Sequence, residues 1–287
     1  MPLRIVSADE RRARRRGIKG VLVGQSGIGK TSQLWTLDAD STLFVNLEAG
    51  DLSVQDWPGD EVTVRDWSMA RDLACWLGGP NPAMRADECY SQAHFDAVCT
   101  AFGDPAALAK YATIFVDSIT VAGRLCFQWS KGQPEAFAER TGKPDIRGAY
   151  GLHGREMIQW LTHLQHIPDR DVWLVGILDR KTDDFNRAFW TLQIEGAKTN
   201  LELPGIVDEL VTMAELRTAE GQPYRAFVCH TLNEWGYPAK DRSGRLDAVE
   251  EPHLGRLMEK IRSGAPAHDL TYDRPTAPEP TTTTTET

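Results

Sequence analysis

A chain of 287 residues, 41% of them hydrophobic, can bury a large domain core, and it has no apolar run near the ~18 residues that cross a bilayer. Its net charge of −9 means that attraction to a polyanion has to come from local patches rather than from the field of the whole molecule. The five cysteines (Cys75, Cys89, Cys99, Cys126, Cys229) are odd in number and lack CxxC pairs, which argues against a disulfide framework or zinc ribbon, and the absence of an apolar leader makes the cytoplasm the expected compartment.

Residues 1–17 form a basic arm, and Arg11, Arg12, Arg14, Arg15, Arg16 and Lys19 make a basic patch readable as a solvated lead-in or as a nucleic-acid contact. A strand is expected at 18–23. Directly after Val21-Leu22-Val23, the octapeptide Gly24-Gln25-Ser26-Gly27-Ile28-Gly29-Lys30-Thr31 fits the phosphate-loop pattern G-x-x-x-x-G-K-[ST]. Its glycines let backbone N–H groups turn inward around phosphates, Lys30 reaches the β- and γ-phosphates, and the Thr31 hydroxyl ligates Mg2+. A helix opening at Lys30–Thr31 and running to Leu37 adds its N-terminal dipole to the same anion site. The stretch from Gly24 to Ser32 is therefore the expected ATP and Mg2+ site.

Ser41–Leu47 has the content of a buried parallel strand and ends in Glu48, where a carboxylate can orient a water beside bound phosphates. The other reading of Glu48 is the start of a surface turn. A short strand at 61–64 and helices at 68–78 and 91–102 follow, with Trp57, Trp67 and Trp76 as packing residues. The apolar strand 112–118 ends in Asp117, the Walker B arrangement, which would hold Mg2+ opposite Thr31. A helix at 120–130, a polar connection over 130–148, a helix marked by Leu152, Ile158, Leu161, Leu164 and Ile167, and a central strand at 172–178 continue the α/β alternation.

Over 179–203, Arg180, Lys181, Arg187, Phe189, Trp190 and Lys198 interleave cations with aromatics, a mixture suited to single-stranded nucleic acid. Asp183, Asp184, Glu195 and Glu202 dilute it, so a mixed-charge surface loop stands as the alternative. Strands at 209–216 and 224–231 make an antiparallel hairpin around Glu220-Gly221-Gln222, and Pro238–Arg245 is a compact basic turn. A helix at 251–262 closes the fold. The Pro- and Thr-rich segment 263–287 cannot bury a core and is expected to be disordered, leaving 18–262 as the folded domain.

In this order the motifs resemble a RecA-like P-loop ATPase core: α/β, with a mainly parallel central sheet, flanking helices and a C-terminal antiparallel hairpin. More narrowly, the chain resembles phage ATP-binding proteins of the Sak-four, Rad-fifty-one-like single-strand annealing group. The resemblance spans about 18–262 and rests on Gly24–Thr31, Phe44–Glu48, Phe115–Ser118 and Ala239–Gly244. It implies that Glu48 is the catalytic base and that Lys240 and Arg242 act in trans on the γ-phosphate of a neighbouring subunit, in a homo-oligomeric filament or ring. It also implies two DNA-binding loops, 130–148 with Lys131, Arg140, Lys143 and Arg147, and 179–203. The chain departs from the pattern in ending the strand before the second loop with Ile177-Leu178-Asp179-Arg180, where RecA relatives carry a Gln or His γ-phosphate sensor.

The function implied is DNA-stimulated ATP hydrolysis coupled to single-strand annealing or strand exchange in phage recombination, inside the bacterial host and with single-strand-binding or other recombination proteins as partners. The alternatives are a nucleotide-gated adaptor with little turnover and a helicase or packaging motor.

Overall fold

The computed structural model describes residues 5–14 and 16–263. Arg15 of the basic arm and residues 264–287, nearly all of the segment expected to be disordered, lie outside the described residues. Up to residue 165 the chain contains α1 (Ala8–Ala13), β1 (Lys19–Gly24), β2 (Thr42–Asn46), β3 (Asp60–Thr63), α2 (Trp67–Gly78), α3 (Gln92–Phe102), β4 (Thr113–Asp117), α4 (Ile119–Ser130) and α5 (Ile146–Gln165). After it come β5 (Asp171–Thr182), β6 (Ala188–Leu192), α6 (Ala197–Ile206), β7 (Glu209–Arg217), β8 (Pro223–Val228), β9 (Lys240–Asp241), β10 (Val249–Glu250) and α7 (Leu254–Arg262).

The strands form one sheet in the order β10-β8-β7-β1-β5-β4-β2-β3, with β6 and β9 hung on β5 and β7. From β3 to β7 every pairing along this path is parallel, while β8 and β10 add antiparallel neighbours. This is a mixed α/β fold with a mainly parallel sheet, flanking helices and a C-terminal antiparallel hairpin. Because β5 lies between β1 and β4, the loop after β1 and the acid ending β4 open onto the same C-terminal edge with one strand between them. Ligands in open α/β sheets bind at such an edge.

Alternation along β1 builds two cores. Val21 and Val23 face a layer containing Val45, Val116, Leu174 and the helix residues Trp67, Met157, Trp160 and Leu161. Leu22 faces Phe44, Phe115, Trp173 and Val175, closed by Leu34, Phe227 and the α7 residues Leu254, Leu257, Met258 and Ile261. Gly20 is required for this packing, since a Cβ there would lie 2.4 Å from the Trp173 ring.

Two expected elements take a different form. The helix after the phosphate loop is a 3-10 turn over Thr31–Thr36, closed by Gln33 N donating to Lys30 O and Leu37 N donating to Leu34 O, both at 3.0 Å. Thr36 Oγ1 donates to Gln33 O at 2.7 Å, and such side-chain bonds in a Thr- and Ser-rich run compete with a longer α-helix. The span 179–203, read as a loop, is a two-stranded ribbon followed by a helix. β5 runs on through Thr182 and pairs with β6 in the register Arg180↔Trp190 and Lys181↔Phe189. The turn is made by Asp183 Oδ1, which accepts from Phe185 N and Arg187 N, and by Asn186 at φ 58. Pro204-Gly205-Ile206 forms the last part of that helix, α6, directly before β7.

Candidate active site

β1 delivers the chain to Gly24 at the C-terminal edge, and the loop then needs backbone that only glycine adopts freely: Gly27 has φ 79 and Gly29 has φ 106. A Cβ on Gly27 would meet nothing within 4 Å, so the hollow of the loop is open. Lys30 is buried and curls back over this hollow, its Nζ donating to Gly24 O at 3.0 Å and Gln25 O at 2.9 Å. Burial pushes its pKa down, while the charges of Asp117 and Glu48 oppose the shift.

Thr31 Oγ1 donates to Asp117 Oδ2 at 2.5 Å. Asp117 is 2% exposed, and its Oδ1 has no hydrogen-bond partner among the described residues. Burial, reinforced by Glu48, raises the Asp117 pKa from 3.8 to about 6 against the opposing pull of the Thr31 hydrogen bond and the Lys30 charge. A buried carboxylate with a spare oxygen, next to a threonine hydroxyl, is the hard oxygen pair that Mg2+ takes when substrate phosphates supply further ligands. Lys30 and the inward-turning backbone suit those phosphates, so the residues present fit a Mg2+-nucleotide.

Glu48 is exposed at the end of β2. Leu47 N donates to Asp117 O at 2.7 Å, which ties the ends of β2 and β4 together and sets the next residue beside Asp117. The turn carrying Glu48 is held by Asn46, whose Oδ1 accepts from Glu48 N at 3.2 Å and Ala49 N at 2.9 Å, and whose Nδ2 donates to Glu61 Oε1. Sequence reading passed over Asn46. Its signal was an amide two residues before the acid, in position for an Asx turn.

Of the two segments expected to contact DNA, the second begins at this same edge, and the helices α4 and α5 that flank the first pack near the later part of the second. β5 pairs Ile177 with Gly24 of β1, so Leu178–Thr182 and β6 project beyond the sheet. Phe127 of α4 stacks on Tyr150 of α5 at 4.3 Å with Lys131 over the Phe127 ring, and His153 Nε2 lies 2.7 Å from Glu195 O after the ribbon. On the ribbon, Arg180 lies over Trp190, which packs against Tyr237, and Phe185 and Phe189 are 78% and 46% exposed. Arg187 is engaged by Asp183 in the turn. Arg140 and Lys143 lie in the connection before α5, and Arg147 is in its first turn. Lys198 is apart from the ribbon, on α6 with its stem against Gly154, and lines a cavity of about 660 Å³ with Arg155 and Tyr90.

Lys240 and Arg242 lie elsewhere. β9 pairs Asp241 with Glu209 and Lys240 with Leu210, at the start of β7 and so at the sheet edge opposite the phosphate loop. Lys240 Nζ donates to Pro204 O and Val207 O at 2.5 and 2.7 Å, and Arg242 pairs with Asp208 at 2.8 Å. Neither side chain reaches the phosphate loop of its own chain.

The AAA domain family (AAA_24) matches residues 16–243. Among solved structures, the chain is similar to an ATPase from the type III secretion system of pathogenic bacteria, with 14% identity and a TM-score of 0.36 over 71% of this chain and 52% of that one. The chain thus spans about half the length of that ATPase. It is also similar to the flagellar accessory protein FlaH from Methanocaldococcus jannaschii, with 10% identity and a TM-score of 0.31 over 75% and 78% of the two chains. No curated protein sequence matches. Among the described residues no helix is long and apolar enough to cross a membrane.

Proposed function

This chain belongs to the AAA domain family, and we propose that its P-loop ATPase domain hydrolyses ATP with Mg2+ while binding single-stranded DNA, and that it promotes annealing or strand exchange in phage recombination. The observation carrying the nucleotide half is the convergence of Lys30, Thr31, Asp117 and Glu48 on an open glycine loop, with one oxygen of a buried carboxylate unpartnered. Lys30 grips the phosphates, and Thr31 with Asp117 would hold Mg2+, whose chemistry when bound would be neutralisation of phosphate charge. Glu48 accepts the proton of the attacking water. What supports the DNA half is the ribbon of exposed Phe185 and Phe189 with Arg180, Lys181 and Arg187, together with the cations Lys131, Arg140, Lys143 and Arg147 of the segment before α5 and its first turn. Lys240 and Arg242 enter the reaction only from a neighbouring subunit, so that part of the scheme requires a homo-oligomer.

The test is ATP hydrolysis by the purified chain with Mg2+, with and without single-stranded DNA, with Lys30→Ala as the blank. The expected result is Mg2+-dependent turnover that DNA stimulates. Hydrolysis indifferent to DNA, with no DNA binding at low salt, would overturn the DNA half and leave the ATPase half standing.

A further inference from the structure

The phosphate loop has a second flank that the hydrolysis scheme leaves unused. In the sheet, β7 and β8 lie on the side of β1 away from β5, β4 and β2, and so away from Asp117 and Glu48. Met213 of β7 pairs with Gly24 of β1 and with Phe227 of β8, and Glu215 pairs with Arg225. Arg225 is therefore set two residues above the level at which the loop leaves the sheet. Its side chain leans onto the loop: a Cβ built on Gly29 would lie 3.4 Å from Arg225 Nη1 and 3.5 Å from Met213 Cε. Gly29 is the residue before Lys30, in the part of the loop whose backbone turns around the phosphates.

Arg225 is exposed and, among the described residues, has no hydrogen bond or ion pair. Lys240 and Arg242, by contrast, are both committed to carbonyl or carboxylate oxygens. A guanidinium held beside a phosphate loop with its donors free is suited to bidentate contact with phosphate oxygens.

We propose that Arg225 is a nucleotide-binding residue that grips the non-transferred α- and β-phosphates; this rests on the ATPase reading above. The reacting γ-phosphate has to face Glu48 and Asp117, so the rest of the phosphate chain runs back across Gly29 toward the opposite flank, where Arg225 stands. A contact to the part of the substrate that does not react binds ground state and transition state alike. It lowers KM and leaves kcat in place.

The experiment compares wild type, Arg225→Ala and Arg225→Lys by calorimetric titration with Mg2+-ADP, by competition with inorganic pyrophosphate, by ATPase kinetics, and by thermal melting without nucleotide. ADP affinity is expected to fall on the order of tenfold or more in Arg225→Ala, as for loss of a charge-assisted hydrogen bond, and less in Arg225→Lys. KM for ATP rises by the same factor with kcat within about twofold, and the melting temperature is unchanged. A matching loss for pyrophosphate places the contact on the phosphates; ADP weakened with pyrophosphate unaffected would overturn that assignment in favour of the base or ribose. Unchanged ADP affinity, a fall in kcat alone, or an equal loss of melting temperature would each overturn the inference while the ATPase reading stands. A wild-type chain that binds no ADP would overturn the ATPase reading itself, and this inference with it.

Discussion

The two edges of the sheet carry similar residues in opposite states. At the C-terminal edge, Lys30, Thr31, Asp117 and Glu48 surround an open glycine loop, and Asp117 Oδ1 is buried without a partner. At the N-terminal edge, Lys240, Arg242 and Arg262 sit among Asp171, Asp208, Glu209 and Asp241, and each of these cations donates to an oxygen of the chain. Asp241 is saturated as well, accepting from Ser243 Oγ, Gly244 N and Leu246 N. A polar cluster whose cations are all committed to the chain's own oxygens acts as architecture, even with one carboxylate oxygen, Glu209 Oε2, left without a donor; one that surrounds an open, concave backbone with spare groups is ready for a ligand.

The comparison is broken most directly at the open edge. Glu48→Gln keeps shape and loses the base, so kcat should drop by about 10²- to 10⁴-fold with ADP affinity unchanged. Lys30→Ala should abolish nucleotide binding itself, read as loss of the ADP-induced rise in melting temperature. Turnover by Glu48→Gln at the wild-type rate would remove Glu48 from the mechanism.

The closed edge contains one group that pH can probe. Glu209 is 1% exposed, its Oε2 meets no donor, and burial together with the neighbouring Asp241 charge raises its pKa from 4.5 to about 8. Its folded pKa lies above the unfolded one, so its stabilising contribution is fully present below about pH 4.5 and is lost as pH rises through about 8. Glu209→Gln should therefore flatten the fall in melting temperature over that window. An unchanged slope would mean that Glu209 is ionised in the folded chain.

A smaller effect is expected on the ribbon. Phe189→Ala should weaken binding of single-stranded DNA by about 1–3 kcal/mol, the cost of one lost base stack, without altering hydrolysis in the absence of DNA. Full DNA affinity in that variant would make the ribbon a plain surface element.

The ribbon also marks how far the sequence could be read. The phosphate loop, Asp117 and Glu48 were legible because each is a short contiguous pattern at the end of an apolar strand, and contiguity survives folding. The pairing of β5 with β6 was not read, because charges in 179–187 masked a strand whose turn is specified by Asp183 and Asn186. The 3-10 turn after the loop depends on where Thr36 spends its hydroxyl, which composition does not show. Arg225 is one arginine in an edge hairpin, and only the β7–β8 register brings it to Gly29. Likewise Lys240 and Arg242 read as a free basic turn until β9 pairs with the start of β7.

Lys240 gives the finest test of the contrast between the edges, because two roles for it predict different readouts. As architecture, its ammonium caps carbonyls at the end of α6 through Pro204 O and Val207 O, where a cation also meets the negative end of the helix dipole. Lys240→Met keeps much of the apolar stem and removes the donor, so the cost should be about 1–2 kcal/mol, a fall of roughly 2–4 °C in melting temperature per kcal/mol. As a cation acting on a neighbour's γ-phosphate, it would have to leave those carbonyls when subunits assemble, and its loss would cut kcat in the oligomer by far more than any change in melting explains. Melting and turnover measured on the same Lys240→Met sample, with ATP and DNA present, separate the two. A lowered melting temperature with normal turnover per subunit assigns Lys240 to the closed edge alone; normal melting with lost turnover would show that this edge opens on assembly, and that its saturated state belongs to the isolated chain.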